Sequence, residues 1–162
     1  MIGILAAGAA KAAGAAEVWT TDILDHPLKI ALDVGVDRTV RIGSDTLPDQ
    51  YFDVAIEASG ASVAVGATLA AVRRRGVMVQ LGMFPPGPRP AELSALVAKE
   101  IDYRGAFRFD TEFDESIALL AGSTALDPVI THSFDLVDAV AAMDVSAEPA
   151  ISGKVVLRLS DD

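Results

Sequence analysis

Apolar and polar positions alternate in blocks along this chain, and the blocks predict its elements. Residues 1–15 are small and apolar, interrupted mainly by Gly3, Gly8, Lys11 and Gly14, and read as a helix rich in Ala and Gly. Residues 17–22 read as a strand ending in an acid, Asp22. A second helix is expected over 25–35, with Asp25 as cap, Pro27 in the first turn and Gly35 as the stop. Residues 37–43 form a short strand, and 44–50 a polar connection containing Pro48. The run from Phe52 reads as a buried strand that enters the small-residue turn Ala58-Ser59-Gly60. Residues 61–75 are expected to be a helix with Val63, Ala67, Leu69 and Val72 on its apolar face. Residues 76–83 are continuously apolar, the pattern of a parallel strand covered on both sides. Pro85, Pro86, Pro88 and Pro90 make the next segment a rigid loop. Residues 91–100 are compatible with a helix or an edge strand. A strand is expected over 101–109, a helix with an acidic first turn over 111–122, a short strand over 129–134, a helix over 136–145 and a last strand over 154–159. Strands alternating with helices throughout predict a doubly wound α/β fold with a parallel sheet, in one domain over 1–162.

Composition narrows the function classes. The chain has 162 residues, 51% of them hydrophobic, enough for a core. No run approaches the ~18 uncharged apolar residues of a membrane span, and the first helix lacks the basic start and cleavage pattern of a signal peptide. A cytoplasmic protein with no membrane association is the expectation. The absence of Cys rules out disulfides and thiolate metal sites. A formal net charge of −10 disfavours nucleic acid as a partner. The one basic cluster, Arg73-Arg74-Arg75, falls at the end of an expected helix, where it would complement the dipole and cap carbonyls rather than bind phosphate.

In an open parallel sheet, ligands bind beyond the carboxyl ends of the strands. Those ends are Asp22, Ser59-Gly60, Gly82-Met83 and Phe107-Arg108. Glycine after a strand lets backbone approach a ligand closely. An acid such as Asp22 can accept two hydrogen bonds from a ribose diol, and its charge repels a 2′-phosphate; an acid there can equally cap the following helix. With the two glycine-ended strands, the balance favours a nucleotide site. His26 is expected to be a solvent-exposed neighbour of a helix start, and His132 to make a structural hydrogen bond. Neither is expected to bind metal, since no second His or Cys completes a site. Ser59, Ser94 and Ser116 lack the context of a catalytic nucleophile.

Taken in order, Ile2-Gly3, Thr21-Asp22, Phe52-Asp53-Val54 through Glu57-Ala58-Ser59-Gly60, Gly76 to Gly82, Val97 to Ile101, Arg104 to Phe109 and Ile130 to Phe134 resemble the zinc-dependent medium-chain alcohol and polyol dehydrogenases. Within that family the similarity points to the L-idonate 5-dehydrogenase and sorbitol dehydrogenase types. It covers nearly the whole chain, but only the cofactor-binding, C-terminal portion of such an enzyme. The resemblance implies a Rossmann-type fold and NAD as cofactor. It places Ile2-Gly3 at the end of the pyrophosphate turn, and Asp22 with Ile23 at the adenosine ribose. It puts Ser59-Gly60 near that ribose, Gly82-Met83 and Ala106-Phe107 at the nicotinamide side, and Arg108 facing the cleft. The family's zinc ligands, first strand and most of its glycine turn are expected to lie outside these residues. No catalytic residue or metal ligand is therefore assigned, and the chain alone is expected to be inactive. For the full enzyme the resemblance implies a small-molecule polyol or sugar-acid substrate and a homo-oligomer, with 91–109 as the pairing region. The alternatives are a non-catalytic remnant acting as a dimerisation module, or another Rossmann protein for an adenosine ligand such as S-adenosylmethionine.

Overall fold

In this computed structural model, residues 1–109 and 111–159 are described. The chain divides into two units, one from Met1–Thr46 and the described part of Thr111–Asp162, the other from the described part of Leu47–Asp110.

In the first unit, α1 (Ile2–Ala12) leads to β1 (Trp19–Asp22), α2 (Asp25–Val34) and β2 (Arg38–Arg41). The two strands pair in parallel, with Trp19 opposite Arg38 and Asp22 opposite Arg41. Gly35 ends α2 at φ 96°, the left-handed conformation that glycine adopts at little cost. The helix start differs from expectation. Leu24 is the N-cap and Asp25 makes no cap bond; Asp22 supplies the acceptor instead, taking the Leu24 N–H on Oδ1 at 2.9 Å. Ile4, Ala7, Val18, Ile30, Ala31 and Val34 form the centre of this unit's core, together with Leu126 and Val129 from the later segment. Gly8 lets α1 pack closely here, since a Cβ there would force the Leu126 side chain to shift. After α5 (Glu112–Gly122), β6 (Ile130–Asp135) pairs in parallel with β7 (Lys154–Arg158), and α6 (Ala139–Ser146) is the crossover between them.

The second unit is a parallel sheet in the order β3 (Phe52–Glu57), β4 (Val72–Gln80), β5 (Asp102–Gly105), connected by α3 (Ser62–Ala71) and the short α4 (Ser94–Ala98). Residues 91–100, left open between helix and edge strand, thus contain a short helix. Val65, Leu69, Val72, Met78 and Ile101 form the core, with Ala55 and Tyr103 packed against it. Both crossovers step the same way along the sheet, so their right-handedness puts α3 and α4 on one face. Within this unit the helices therefore cover one face of β4. Met78 is fully buried while Val77 and Val79 are half-buried, and on β3 Val54 and Ile56 are 53% and 43% exposed.

The arginine cluster overturns an expectation. α3 ends at Ala71, and Arg73, Arg74 and Arg75 lie in β4, where the register with β3 jumps from Phe52–Val72 to Val54–Val77. Arg73 pairs with Asp53 at 2.6 Å, and Arg74 and Arg75 pair with Glu100 at 3.0 and 2.7 Å. Lys99 caps the helix instead, its Nζ donating to the carbonyls of Leu69, Ala70 and Val72. Val63, expected on the buried face of α3, is 87% exposed; Val65 and Leu69 face the core.

All strand pairs are parallel and alternate with helices, giving a Rossmann-like α/β fold. Among the described residues the strands are hydrogen-bonded in three groups, β1-β2, β3-β4-β5 and β6-β7, rather than in one continuous ladder. No helix among them is long and apolar enough to cross a membrane.

Candidate functional site

The residues singled out from the sequence fall at the start of α1 and at strand carboxyl ends. In the first unit, Ile2 and Gly3 occupy the first turn of α1, whose leading N–H groups lack intrahelical partners by geometry. Asp22 ends β1, half-buried, with Ile23 exposed immediately after it. Its Oδ1 is used by the Leu24 N–H, so the structural role of this acid is real. Across the register from Asp22, Arg41 turns to Asp25, Nε to Oδ1 at 2.9 Å. His26 differs from the exposed residue expected: it is half-buried, and its Nε2 is enclosed without a hydrogen-bond partner among the described residues. His132 behaves as expected, with Nδ1 at 2.9 Å from the Thr131 hydroxyl.

In the second unit the ends of β3 and β4 are locked together. Gly60 has φ +70°, and a Cβ on it would strike the Met83 carbonyl. A Cβ on Gly82 would strike the Gly60 amide nitrogen and approach the Glu57 carboxylate. These two turns pack backbone on backbone, so glycine is required at both. Glu57, 4% exposed, stands between them. Its Oε1 accepts the Ser59 N–H at 2.7 Å and the Ser59 hydroxyl; its Oε2 accepts the Gly60 N–H at 3.1 Å and Gln80 Nε2 at 2.5 Å. Gln80 also donates to the Gly82 carbonyl at 2.7 Å and accepts the Tyr103 hydroxyl at 2.8 Å. Burial, reinforced by the charge of Glu57, pushes the Tyr103 hydroxyl above the usual tyrosine range. Beyond β5, Ala106 extends the ladder through its N–H to Gln80 O at 3.0 Å, and Phe107 and Met83 are exposed. Arg108 has φ +60°, with its guanidinium 5.0 Å from the Phe107 ring centroid.

Glu57, Gln80 and Tyr103 escape the site residues chosen from sequence. Their signal is there, however, as an acid and an amide inside apolar runs that have to be buried, where polar groups require partners.

Residues 2–122 match the zinc-binding dehydrogenase family. The L-idonate 5-dehydrogenase (NAD(P)(+)) of Escherichia coli strain K12 is 34% identical over 96% of this chain and 47% of its own length. This chain belongs to the zinc-binding dehydrogenase family. The crystal structure of L-idonate 5-dehydrogenase from Escherichia coli K-12 superposes with a TM-score of 0.88 at 32% identity, over 98% of this chain and 47% of that one. The L-threonine 3-dehydrogenase of Saccharopolyspora erythraea is 34% identical over 96% of this chain and 48% of its own length. A zinc-binding dehydrogenase from Sinorhizobium meliloti 1021 bound to NADP gives a TM-score of 0.79 at 25% identity, over 98% of this chain and 49% of that one. The chain thus spans about half the length of the family members it matches.

The residues present do not fit the family's zinc. The chain has no Cys, and among the described residues no group of three or more His, Asp or Glu could hold a metal ion. The Gly60 and Gly82 turns are fixed against each other by backbone packing that leaves no room for a Cβ at either position.

Proposed function

We propose that this chain is the cofactor-binding portion of an NAD-dependent alcohol or polyol dehydrogenase of the L-idonate 5- or sorbitol type, working on hydride transfer between a secondary alcohol carbon and nicotinamide. One observation carries this reading: residues 2–122 match the zinc-binding dehydrogenase family, and the L-idonate 5-dehydrogenase structure superposes over 98% of this chain at a TM-score of 0.88. When bound, the nicotinamide ring supplies the hydride acceptor. The chain's own residues do the holding. The first turn of α1 at Ile2-Gly3 presents N–H groups to phosphate. Asp22, with Ile23, receives the adenosine ribose diol, and its charge disfavours the 2′-phosphate of NADP. Ser59-Gly60 pass near that ribose, Gly82-Met83 and Ala106-Phe107 offer backbone groups to the nicotinamide side, and Arg108 faces the substrate cleft.

The name of the Escherichia coli relative allows both cofactors, so the preference needs its own test. Calorimetric titration of the chain with NAD, NADP and S-adenosylmethionine should show NAD bound at least ~tenfold more tightly than NADP, a discrimination of ~1.4 kcal/mol, and S-adenosylmethionine unbound. Tighter binding of S-adenosylmethionine would replace a dehydrogenase reading with that of another adenosine-ligand protein. Since no group among the described residues could hold the zinc, we propose that the chain by itself does not oxidise alcohols. The full enzyme's partners are proposed as a small polyol or sugar acid and further copies of itself in the cytoplasm, with no membrane or nucleic acid. The pairing region proposed is 91–109, which contains β5 at the edge of its sheet.

A further inference from the structure

We infer that Glu57 is a positioning residue for the cofactor: its carboxylate and its main-chain carbonyl together set the backbone of both glycine turns at the ends of β3 and β4. This inference rests on the NAD reading above and deepens it, because it assigns the geometry of the nucleotide-facing backbone to one buried side chain that touches no cofactor itself.

The hydrogen bonds divide cleanly. The Glu57 side chain holds the first turn, taking both N–H groups of Ser59 and Gly60 and the Ser59 hydroxyl. Its main-chain carbonyl holds the second, taking the Leu81 and Gly82 N–H groups, each at 2.8 Å. Gln80 closes the loop by donating from one amide nitrogen to both the Glu57 carboxylate and the Gly82 carbonyl. Four donors converge on two carboxylate oxygens, a set that only an acceptor-only group satisfies. No described cation takes part, so the countercharge comes from oriented N–H dipoles, at a site where a deleted acceptor leaves buried donors stranded. Glutamine in place of Glu57 has nearly the same shape but turns one oxygen into an NH2 group. That sets donor against donor at either Ser59 or Gly60, and the close approach of Gly60 to Gly82 and Met83 transmits the displacement to the second turn.

The test compares the full chain with its Glu57→Gln variant by NAD calorimetry and by amide hydrogen exchange. The expected result is a variant folded by circular dichroism that binds NAD about tenfold more weakly, the loss of one charge-assisted hydrogen bond. Exchange should accelerate at Ser59 and Gly60 while Leu69 and Met78 keep their rates. A merely structural role would instead raise exchange across all four. NAD binding within about twofold of the unaltered chain overturns the inference, and so does a uniform rise in exchange. If the unaltered chain binds no NAD, the cofactor reading fails by itself. Exchange at Ser59 and Gly60 then still decides whether Glu57 sets the turns. If Glu57→Gln does not fold, Gln80→Met takes its place, with NAD binding expected to weaken by roughly threefold to tenfold for one lost hydrogen bond, and unchanged binding overturning the inference.

Discussion

Asp22 shows how much a single residue can carry. One of its oxygens fixes the entry to α2, so replacing it with Ala mixes loss of a turn with loss of a ligand contact. Asn keeps the acceptor for Leu24 and removes the charge. Asp22→Asn should therefore leave the melting temperature within ~2 °C and weaken NAD binding by about tenfold, while narrowing the gap between NAD and NADP. Calorimetry with both cofactors on the same preparation checks it. A second residue-scale prediction concerns Gly82, whose missing Cβ is what lets Gly60 approach. Gly82→Ala should lower unfolding free energy by ~1–3 kcal/mol in urea titration, as overpacking does when backbone rather than a flexible side-chain tip is the obstacle. Both residues are legible in the sequence, as an acid and a glycine at strand ends. Glu57 is not legible in the same way: the sequence shows an acid in an apolar run, and only the fold shows the four donors that surround it.

At the scale of elements, the end of α3 is the instructive miss. The apolar pattern through Val72 and the following arginines favours a longer helix, and nothing local stops it. Lys99, distant in sequence, does: its side chain, 14% exposed, reaches the carbonyls of Leu69, Ala70 and Val72, and the chain turns into β4. Replacing Lys99 with Met keeps the stem and removes its hydrogen bonds to all three carbonyls, of which that of Ala70 still accepts the Gln50 N–H at 3.0 Å, so a loss of ~1–3 kcal/mol is expected in denaturant unfolding. Asp37 ties elements together in the first unit. It accepts the Val18 N–H at 2.7 Å at the foot of β1 and pairs with Lys11 of α1 at 3.0 Å. The Val18 N–H, and then Lys11, hold its carboxyl below the usual range. A lowered carboxylate adds stability above its unfolded-state value and loses it as pH falls through the folded one. The melting-temperature gap between the unaltered chain and Asp37→Asn should therefore be present at neutral pH and close as pH falls below the ordinary aspartate range. A gap that persists into acid would show the effect lies elsewhere.

For the molecule as a whole, the chain matches about half the length of its relatives, and among the described residues no group of three or more His, Asp or Glu could hold a metal ion. No NAD-dependent oxidation of L-idonate, sorbitol or L-threonine is expected from it in a spectrophotometric assay at 340 nm. Turnover that survives metal chelation would contradict the proposal most directly. The alternation of strands and helices, the parallel pairing and the family are all determined by the sequence alone, because period and turn chemistry are local and the matching residues run in order along the chain. Tertiary structure decided the rest. It chose which face of β4 is covered, since the handedness of two successive crossovers puts both helices on one side. It grouped the strands into three hydrogen-bonded sets rather than one ladder. It also gave Glu57 its partners and ended α3 at Ala71 under the Lys99 cap, because a buried donor or acceptor is satisfied by whatever the fold brings near, and that neighbour is invisible to any local pattern.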